Sequence, residues 1–387
     1  MAPSSQTGCR DSFARHFDFF LETASLPVKA GDAIWAHPLP CGPDPATAGD
    51  RTRSVTYGQL FRAVADFLKN TVFRHKPELP AARPQADPVR ILLVKHGAFY
   101  HPCRIEAGPG SRPLVVNVAV SQPGRNTIDS EFKSLARLGK TRAAGFVPQV
   151  YLLGRGRCSE GHELPMFLGQ WLDGFREFHL GIHNGRQEAM VWNPDGSRQV
   201  LATIQVREIM RQAAFILAAC YDPISMEAVS GFHHAAGDFV VRPGRGDCLQ
   251  VRLISIRDYR PLAGPPDQEA DLQTILDGLL VQMLKTSLQL RLDRLDGVGG
   301  YALYPSRLLD AFWEGFAEGV AWSLKDLGIP AELTSVMADY FRNHSLDDWM
   351  EISGRWLQKF PAGSPERRLL ETDLENHMTC LRNAVSR

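Results

Sequence analysis

The chain has 387 residues, 44% of them hydrophobic and 22% charged, with Lys plus Arg and Asp plus Glu equal at 43 each. That is enough apolar material for two or three average domains, or for one two-lobed unit with an extension. A net charge of zero gives no general electrostatic reason to expect nucleic acid or an acidic membrane as partner. The opening stretch, MAPSSQTGCRDSFARHF, lacks an apolar h-region, so no signal peptide is expected. No run approaches the roughly 20 apolar residues that span a bilayer, so no membrane span is expected either. Seven cysteines are scattered, odd in number and without a CxxC pair. That usage predicts reduced thiols in a cytoplasmic protein, not a disulfide framework or a zinc site.

Residues 1–88 read as a separate opening section. Phe13, Phe17 and Phe20 recur at helical spacing within Asp11 to Ser25, and Thr56 to Phe73 repeats the pattern with Thr56 as N-cap. Between them HPLPCGPDPATAGD is loop, and the four prolines of Pro77 to Pro88 mark a linker. From Val89 the pattern turns to strands. VRILLVKHGAFYHPCRIEA holds an apolar run, a break at Gly97 and a second extended piece. LVVNVAV (Leu114 to Val120) is a third strand, rich in β-branched residues. SQPGRNT reads as loop, and Ile128 to Gly139 as a short amphipathic helix ended by glycine. FVPQVYLLG and LPMFLGQWL supply two more strands, while GRGRC and GVGG read as loops. The remainder is mostly helical, beginning with the largely apolar Val206 to Tyr221. It is interrupted by two strands, FHHAAGDFVV and LQVRLISIRDY, around the turn RPGRGDC, to which Asp247 belongs. Past Pro265-Pro266 come Asp271 to Leu290, Ser306 to Leu324 and two more helices.

Three strands, one helix, two strands and then a helical region with an inserted hairpin resembles the protein-kinase-like superfamily, including aminoglycoside phosphotransferases and lipopolysaccharide core kinases. The resemblance runs from about Val89 to the C-terminus and rests on element order and degenerate motifs. It implies an α+β, two-lobed fold: a small antiparallel-sheet lobe over 89–172, a larger helical lobe over 173–387, and a helical N-terminal extension over 1–88. It also implies ATP and Mg²⁺ as cofactors, because such a fold works by positioning and charge neutralisation.

The candidate site residues follow from that resemblance. KHGAFYHP lies where a phosphate-covering turn belongs, with Gly97 as its single glycine; the alternative is a plain hairpin turn. The third strand should bring a lysine and instead carries Asn117, which can hydrogen-bond a phosphate but has no charge. Lys95 is the candidate replacement. Glu131 matches the helix glutamate that orients such a cation; its alternative is an ordinary solvated carboxylate. In GFHHAAGDFVV two registers compete. Either Asp238 is the catalytic carboxylate, or it replaces the metal-binding asparagine and His233, five residues earlier, takes the catalytic place. The second is preferred because the apolar strand Phe239 to Val241 follows Asp238 directly. A histidine there suits a general base at neutral pH, and His234 is its neighbour; both could also be structural. ISIRDYRPL then matches the second metal-binding motif with Asp258, although Tyr259 and Arg260 replace its Phe and Gly. Asp238 and Asp258 on one hairpin would repel unless a cation lay between them, a separate argument for Mg²⁺. Gln170 to Leu180 falls where a kinase hinge would hold adenine by its backbone, with Trp171 either core or adenine-lining.

The functional expectation is therefore an atypical ATP/Mg²⁺-dependent phosphotransferase acting on a hydroxyl of a small molecule or glycan, the acceptor being unidentified. The alternative is a pseudokinase-like nucleotide-binding or scaffold protein without catalysis, favoured by the missing lysine and the missing aspartate at position 233. A third reading is an unrelated α+β enzyme that uses the two histidines and two aspartates as a metal site.

Overall fold

The computed structural model describes residues 17–22, 26–40, 54–76, 78, 88–108, 110–159, 161–230, 237–244, 248–262, 271–326, 328 and 332–387. The fold is α+β and divides into two compact units, Met1–Ala136 with Gln149–Asp173, and Arg137–Pro148 with Gly174–Arg387.

The first unit is a six-stranded sheet in the order β1-β2-β3-β4-β6-β5. Its strands are β1 (Phe17–Leu21), β2 (Val89–Leu93), β3 (His101–Glu106), β4 (Leu114–Val118), β5 (Val150–Ser159) and β6 (His162–Gln170). β2 to β6 pair antiparallel, whereas β1 adds in parallel along β2. The period-2 alternation sends Ile91, Leu93, Cys103, Ile105, Val116, Val118, Met166 and Leu168 to one face. That face packs on α1 (Tyr57–Phe67) through Leu60, Phe61, Val64 and Phe67. Thr56 caps α1 as expected, in a reciprocal capping box: the Gln59 amide donates to Thr56 Oγ1 (3.2 Å) and the Thr56 amide to Gln59 Oε1 (2.9 Å). The helix continues through a π-helical stretch (Leu68–Val72) into α2 (Phe73–His75).

Two expectations for the opening section fail. The described part of the helix placed at Asp11 to Ser25 is strand β1, and β1 and α1 belong to the sheet's own core instead of standing apart as an extension. Three phenylalanines at helical spacing also suit a short aromatic strand. Pairing with β2 decides between them, with Phe19 lodged against Trp35 and Phe61. Most of the proline linker lies outside the described residues.

GRGRC is not a loop either. Gly154 and Gly156 sit within edge strand β5, where a Cβ on Gly156 would come within 1.9 Å of the Ala63 carbonyl oxygen. The glycines let α1 lie directly on β5. Asp66 of α1 then accepts the Arg157 amide (3.0 Å), capping part of an edge that would otherwise be unpaired. α3 (Gln122–Leu138) begins six residues before the expected Ile128. Pro123 is tolerated in a first turn, where its missing N–H has no intrahelical partner to lose, and Ser121 Oγ accepts the Gly124 amide (3.2 Å).

The second unit opens with a meander where no strand was expected: β7 (Phe178–His183), β8 (Arg186–Trp192) and β9 (Arg198–Val200). Asn184 and Gly185 form its first turn with φ of 50° and 74°, the left-handed pair that an Asn-Gly hairpin requires. β7 is anchored by the buried Asp293 of β14 (Leu292–Arg294), which accepts the amides of Leu180 (2.8 Å) and Arg294 (2.7 Å). β14 pairs with β15 (Tyr301–Leu303), and GVGG lies in the turn between them. α4 (Thr203–Ala219) crosses α6 (Leu309–Asp326) at very short range. Cβ atoms on Gly315 and Gly319 would come within 1.9 and 2.4 Å of the Arg211 and Phe215 carbonyl oxygens. The expected hairpin is β11 (Phe239–Pro243) and β12 (Leu249–Leu253). β10 (Glu227–Val229) pairs with β13 (Tyr259–Pro261). α5 (Leu272–Arg291) is capped by Asp271, and three helices follow α6 where two were expected: α7 (Leu333–Asn343), α8 (Leu346–Leu357) and α9 (Pro365–Val385). Among the described residues no helix is long and apolar enough to cross a membrane.

Candidate functional site

The four candidate residues of the first unit fall on the β2–β3 turn, β4 and α3. Gly97 closes a tight turn: its amide donates to the Tyr100 carbonyl (3.1 Å), and a Cβ at Gly97 would lie 2.6 Å from that oxygen. The turn is tied to the start of α3, since Ser121 Oγ donates to the Ala98 carbonyl (2.8 Å) and Gly124 admits the Phe99 carbonyl at a distance no Cβ could share. The glycine is therefore needed by the turn itself. Lys95 is exposed just after β2, and its charge partly offsets the burial that raises the Glu22 carboxyl.

Asn117 lies on the sheet face opposite α1, between its register partners Pro102 and Phe167. α3 packs on that same face, Phe132 against Phe167 at a ring separation of 6.1 Å. Glu131, next to Phe132, is 2% exposed, so it is not an ordinary solvated helix carboxylate. Asn117 and Glu131 thus share one side of the sheet. Arg104 of β3 is a cation on that face. Its Nε lies 3.0 Å from Glu106, its Nη2 3.6 Å from Asp173, and its guanidinium covers the ring of Trp171.

In the second unit, His233, His234 and Asp247 lie outside the described residues. Asp238 sits at the base of the hairpin, where its carbonyl accepts the Ile254 amide (2.8 Å) and its carboxylate is 2% exposed. Its side-chain partner is Arg257. Nη1 donates to Oδ2 at 2.9 Å and Nη2 lies 2.7 Å from Oδ1. One guanidinium therefore neutralises the carboxylate, with Oδ2 hydrogen-bonded and Oδ1 in ion-pair contact without a hydrogen bond of its own.

Asp258 is engaged elsewhere. Its carboxylate meets Arg260 Nε at 2.8 Å, while its carbonyl accepts the Ser230 amide (3.0 Å). Arg257 lies in a bend between β12 and β13 and turns toward Asp238, whereas Asp258 pairs with Arg260. The residue that faces Asp238 is thus not the aspartate chosen from the sequence but the arginine before it. A cation does neutralise Asp238, and it is the protein's own. The donor set as arranged does not fit Mg²⁺, which takes anionic oxygen ligands free of competing guanidinium.

A second residue missed from the sequence is Lys285 of α5. It is 5% exposed and its Nζ donates to the Val229 carbonyl (3.1 Å). Burial pushes the ammonium down to about 7, with Lys359 and Arg260 adding to the shift and Asp258 opposing it. Its burial is not legible in the sequence, because Gln282, Lys285, Thr286 and Gln289 fall at helical spacing like a solvated polar stripe. Arg257 carries no signal either, because nothing local distinguishes it from Asp258 as the residue that turns inward.

No family model and no curated protein matches the sequence. Among solved structures the chain is similar to one described as "WaaP in complex with acyl carrier protein", at 11% identity and a TM-score of 0.31, over 70% of this chain and 90% of that one. A likeness at that score carries no argument about fold or activity, so any functional reading rests on the residues themselves.

Proposed function

We propose that the chain is built on a protein-kinase-like plan, with a centre that no longer works through a metal, and acts as a pseudokinase-like nucleotide-binding or scaffold protein. The observation that carries the reading is the buried Arg257–Asp238 ion pair at the base of the β11–β12 hairpin. Opposite charges there neutralise each other, where two carboxylates would demand a bound cation. The plan itself is supported by the antiparallel run β2, β3, β4, β6, β5 with α3 inserted after its third strand. The uncharged Asn117 at the strand position of the expected lysine points the same way.

One observation favours the other reading, an ATP/Mg²⁺-dependent phosphotransferase acting on a small-molecule or glycan hydroxyl. Glu131 is buried on the face it would need to occupy beside the nucleotide. The two separate by metal dependence. Thermal unfolding with ATP is measured in excess Mg²⁺ and in excess chelator, alongside phosphoryl transfer to a panel of hydroxyl acceptors. A ligand at 100 times its dissociation constant that binds only the folded state adds about 2.7 kcal/mol. The proposal expects the same nucleotide-dependent shift, or the same lack of one, with and without Mg²⁺, and no turnover. A shift that needs Mg²⁺ and disappears in Asp258→Ala would overturn it and restore the phosphotransferase.

A further inference from the structure

Two arginines on one surface of the second unit lie against one aromatic ring and make no ion pair among the described residues. The β11–β12 hairpin buries Phe239, Val241, Val251 and Leu253 on one face. By the same alternation, its other face carries Val240, Arg242, Gln250 and Arg252. Arg242 is paired in register with Gln250 and Arg252 with Val240, so the two arginines are diagonal neighbours. Long side chains in that relation reach each other.

Both guanidiniums lie against the same ring, that of Phe175, at 4.8 Å from its centroid for Arg242 and 5.5 Å for Arg252. Phe175 is held in place by its neighbours. The Arg176 amide donates to the Val241 carbonyl and the Val241 amide to the Arg176 carbonyl, each at 2.8 Å, which stitches the segment to the hairpin. Gly174, at φ +77°, leaves room for the Arg242 stem, whose Cδ would lie 3.2 Å from a Cβ there. The arginines are therefore positioned by packing and are not trailing in solvent.

Their donors are largely unspent on protein. Each guanidinium offers five N–H groups. Arg242 gives one to Gln250 Oε1 (2.6 Å) and Arg252 one to the Val251 carbonyl (2.9 Å). Neither meets a carboxylate among the described residues, unlike Arg257, Arg260, Arg207 and Arg211 of the same unit. Burial and the adjacent Arg242 charge push the Arg252 guanidinium below its ordinary value. Two like charges packed on one ring, with donors to spare and no ion pair to an acid among the described residues, favour a doubly charged oxyanion that takes hydrogen bonds from both forks.

We propose that Arg242 and Arg252, seated against Phe175, form a binding site for the phosphate group of a small molecule. The site is independent of the reading given to Asp238 and Arg257, since neither residue is part of it. The phosphate could be free or esterified, and the probes separate these. The full chain is titrated with inorganic phosphate and with glycerol 3-phosphate, each against sodium chloride at matched ionic strength, with heat of binding and unfolding temperature as readouts. A saturable heat and a rise in unfolding temperature beyond chloride are expected with at least one probe. A stronger response to glycerol 3-phosphate marks an ester site, and an equal one a site for the phosphate group alone. Arg242→Gln and Arg252→Gln should each weaken affinity about tenfold or more, the usual cost of a lost charge-assisted hydrogen bond. Arg252→Lys, which keeps the charge and loses the fork, should fall between; it also serves if the glutamine variants fold poorly. Arg207→Gln, on α4 and ion-paired to Asp310 and Glu314, should bind as the parent does. Response equal to matched chloride, or unchanged affinity in Arg242→Gln and Arg252→Lys, overturns the proposal.

Discussion

Removing the Arg257 side chain tests whether it or a bound cation balances Asp238. Asp238 is 2% exposed, and the Arg257 side chain is 16% exposed. Both oxygens of the carboxylate lie within 2.9 Å of a guanidinium nitrogen. Arg257→Ala therefore leaves a carboxylate buried without its counter-charge, which costs about 3–5 kcal/mol. For a folding unit of about 200 residues, each kcal/mol shifts the unfolding temperature by about 2–4 °C, so a fall of roughly 6–20 °C is expected. The pair itself is isolated by a double-mutant cycle in urea with Asp238→Asn, Arg257→Gln and both together. Residues in direct contact couple by about 0.5–3 kcal/mol, so the double variant should be less destabilised than the sum of the singles. Mg²⁺ should not rescue the parent, because its carboxylate is already occupied. A loss below about 1 kcal/mol for Arg257→Ala, or strict additivity in the cycle, would mean that Asp238 is balanced by something else and would refute the reasoning.

Gly315→Ala should be among the most destabilising single-methyl changes in the second unit, because its Cβ would sit 1.9 Å from the Arg211 carbonyl oxygen and force α4 and α6 apart. Overpacking of this kind costs about 1–3 kcal/mol or more; urea denaturation measures it, and Gly354→Ala on α8, where nothing lies within 4 Å, is the comparison that should not lose stability. Stability should also fall on acidification. Burial pushes His101 down to about 4 and His377 well below its ordinary value of 6.5, so both are neutral in the fold and take up protons on unfolding. Their contribution is fully present above about pH 6.5 and is lost as pH falls toward the folded values, by up to about 1.4 kcal/mol per pH unit for each. Equilibrium denaturation between pH 7 and pH 5 reads the slope. His101→Gln should flatten it, and a flat profile in the parent would contradict the burial argument.

Elements whose pattern is set locally were legible in the sequence, and those decided by a partner were not. Thr56 with Gln59 is a self-contained capping signal, β2 and β3 show as an apolar run and an extended piece either side of Gly97, and β4 as a β-branched run, all close to their observed bounds. β1 could not be read this way. Its FDFFL suits either periodicity, and the free edge of β2, some seventy residues later in the chain (89 − 17 = 72), makes it a strand. The glycines of GRGRC carry the same lesson, being needed by a helix that precedes them and not by a turn of their own. The meander is a different case, since Asn184-Gly185 is a strong local hairpin signal that was passed over. At the candidate site the outcome turns on one residue in a bend, whose direction no local signal sets. Position 257 turns to Asp238 and position 258 turns away. Had aspartate stood at 257, two carboxylates would meet and call for a metal. With arginine there, the same hairpin closes on itself, and the charge of one side chain changes what the site can hold.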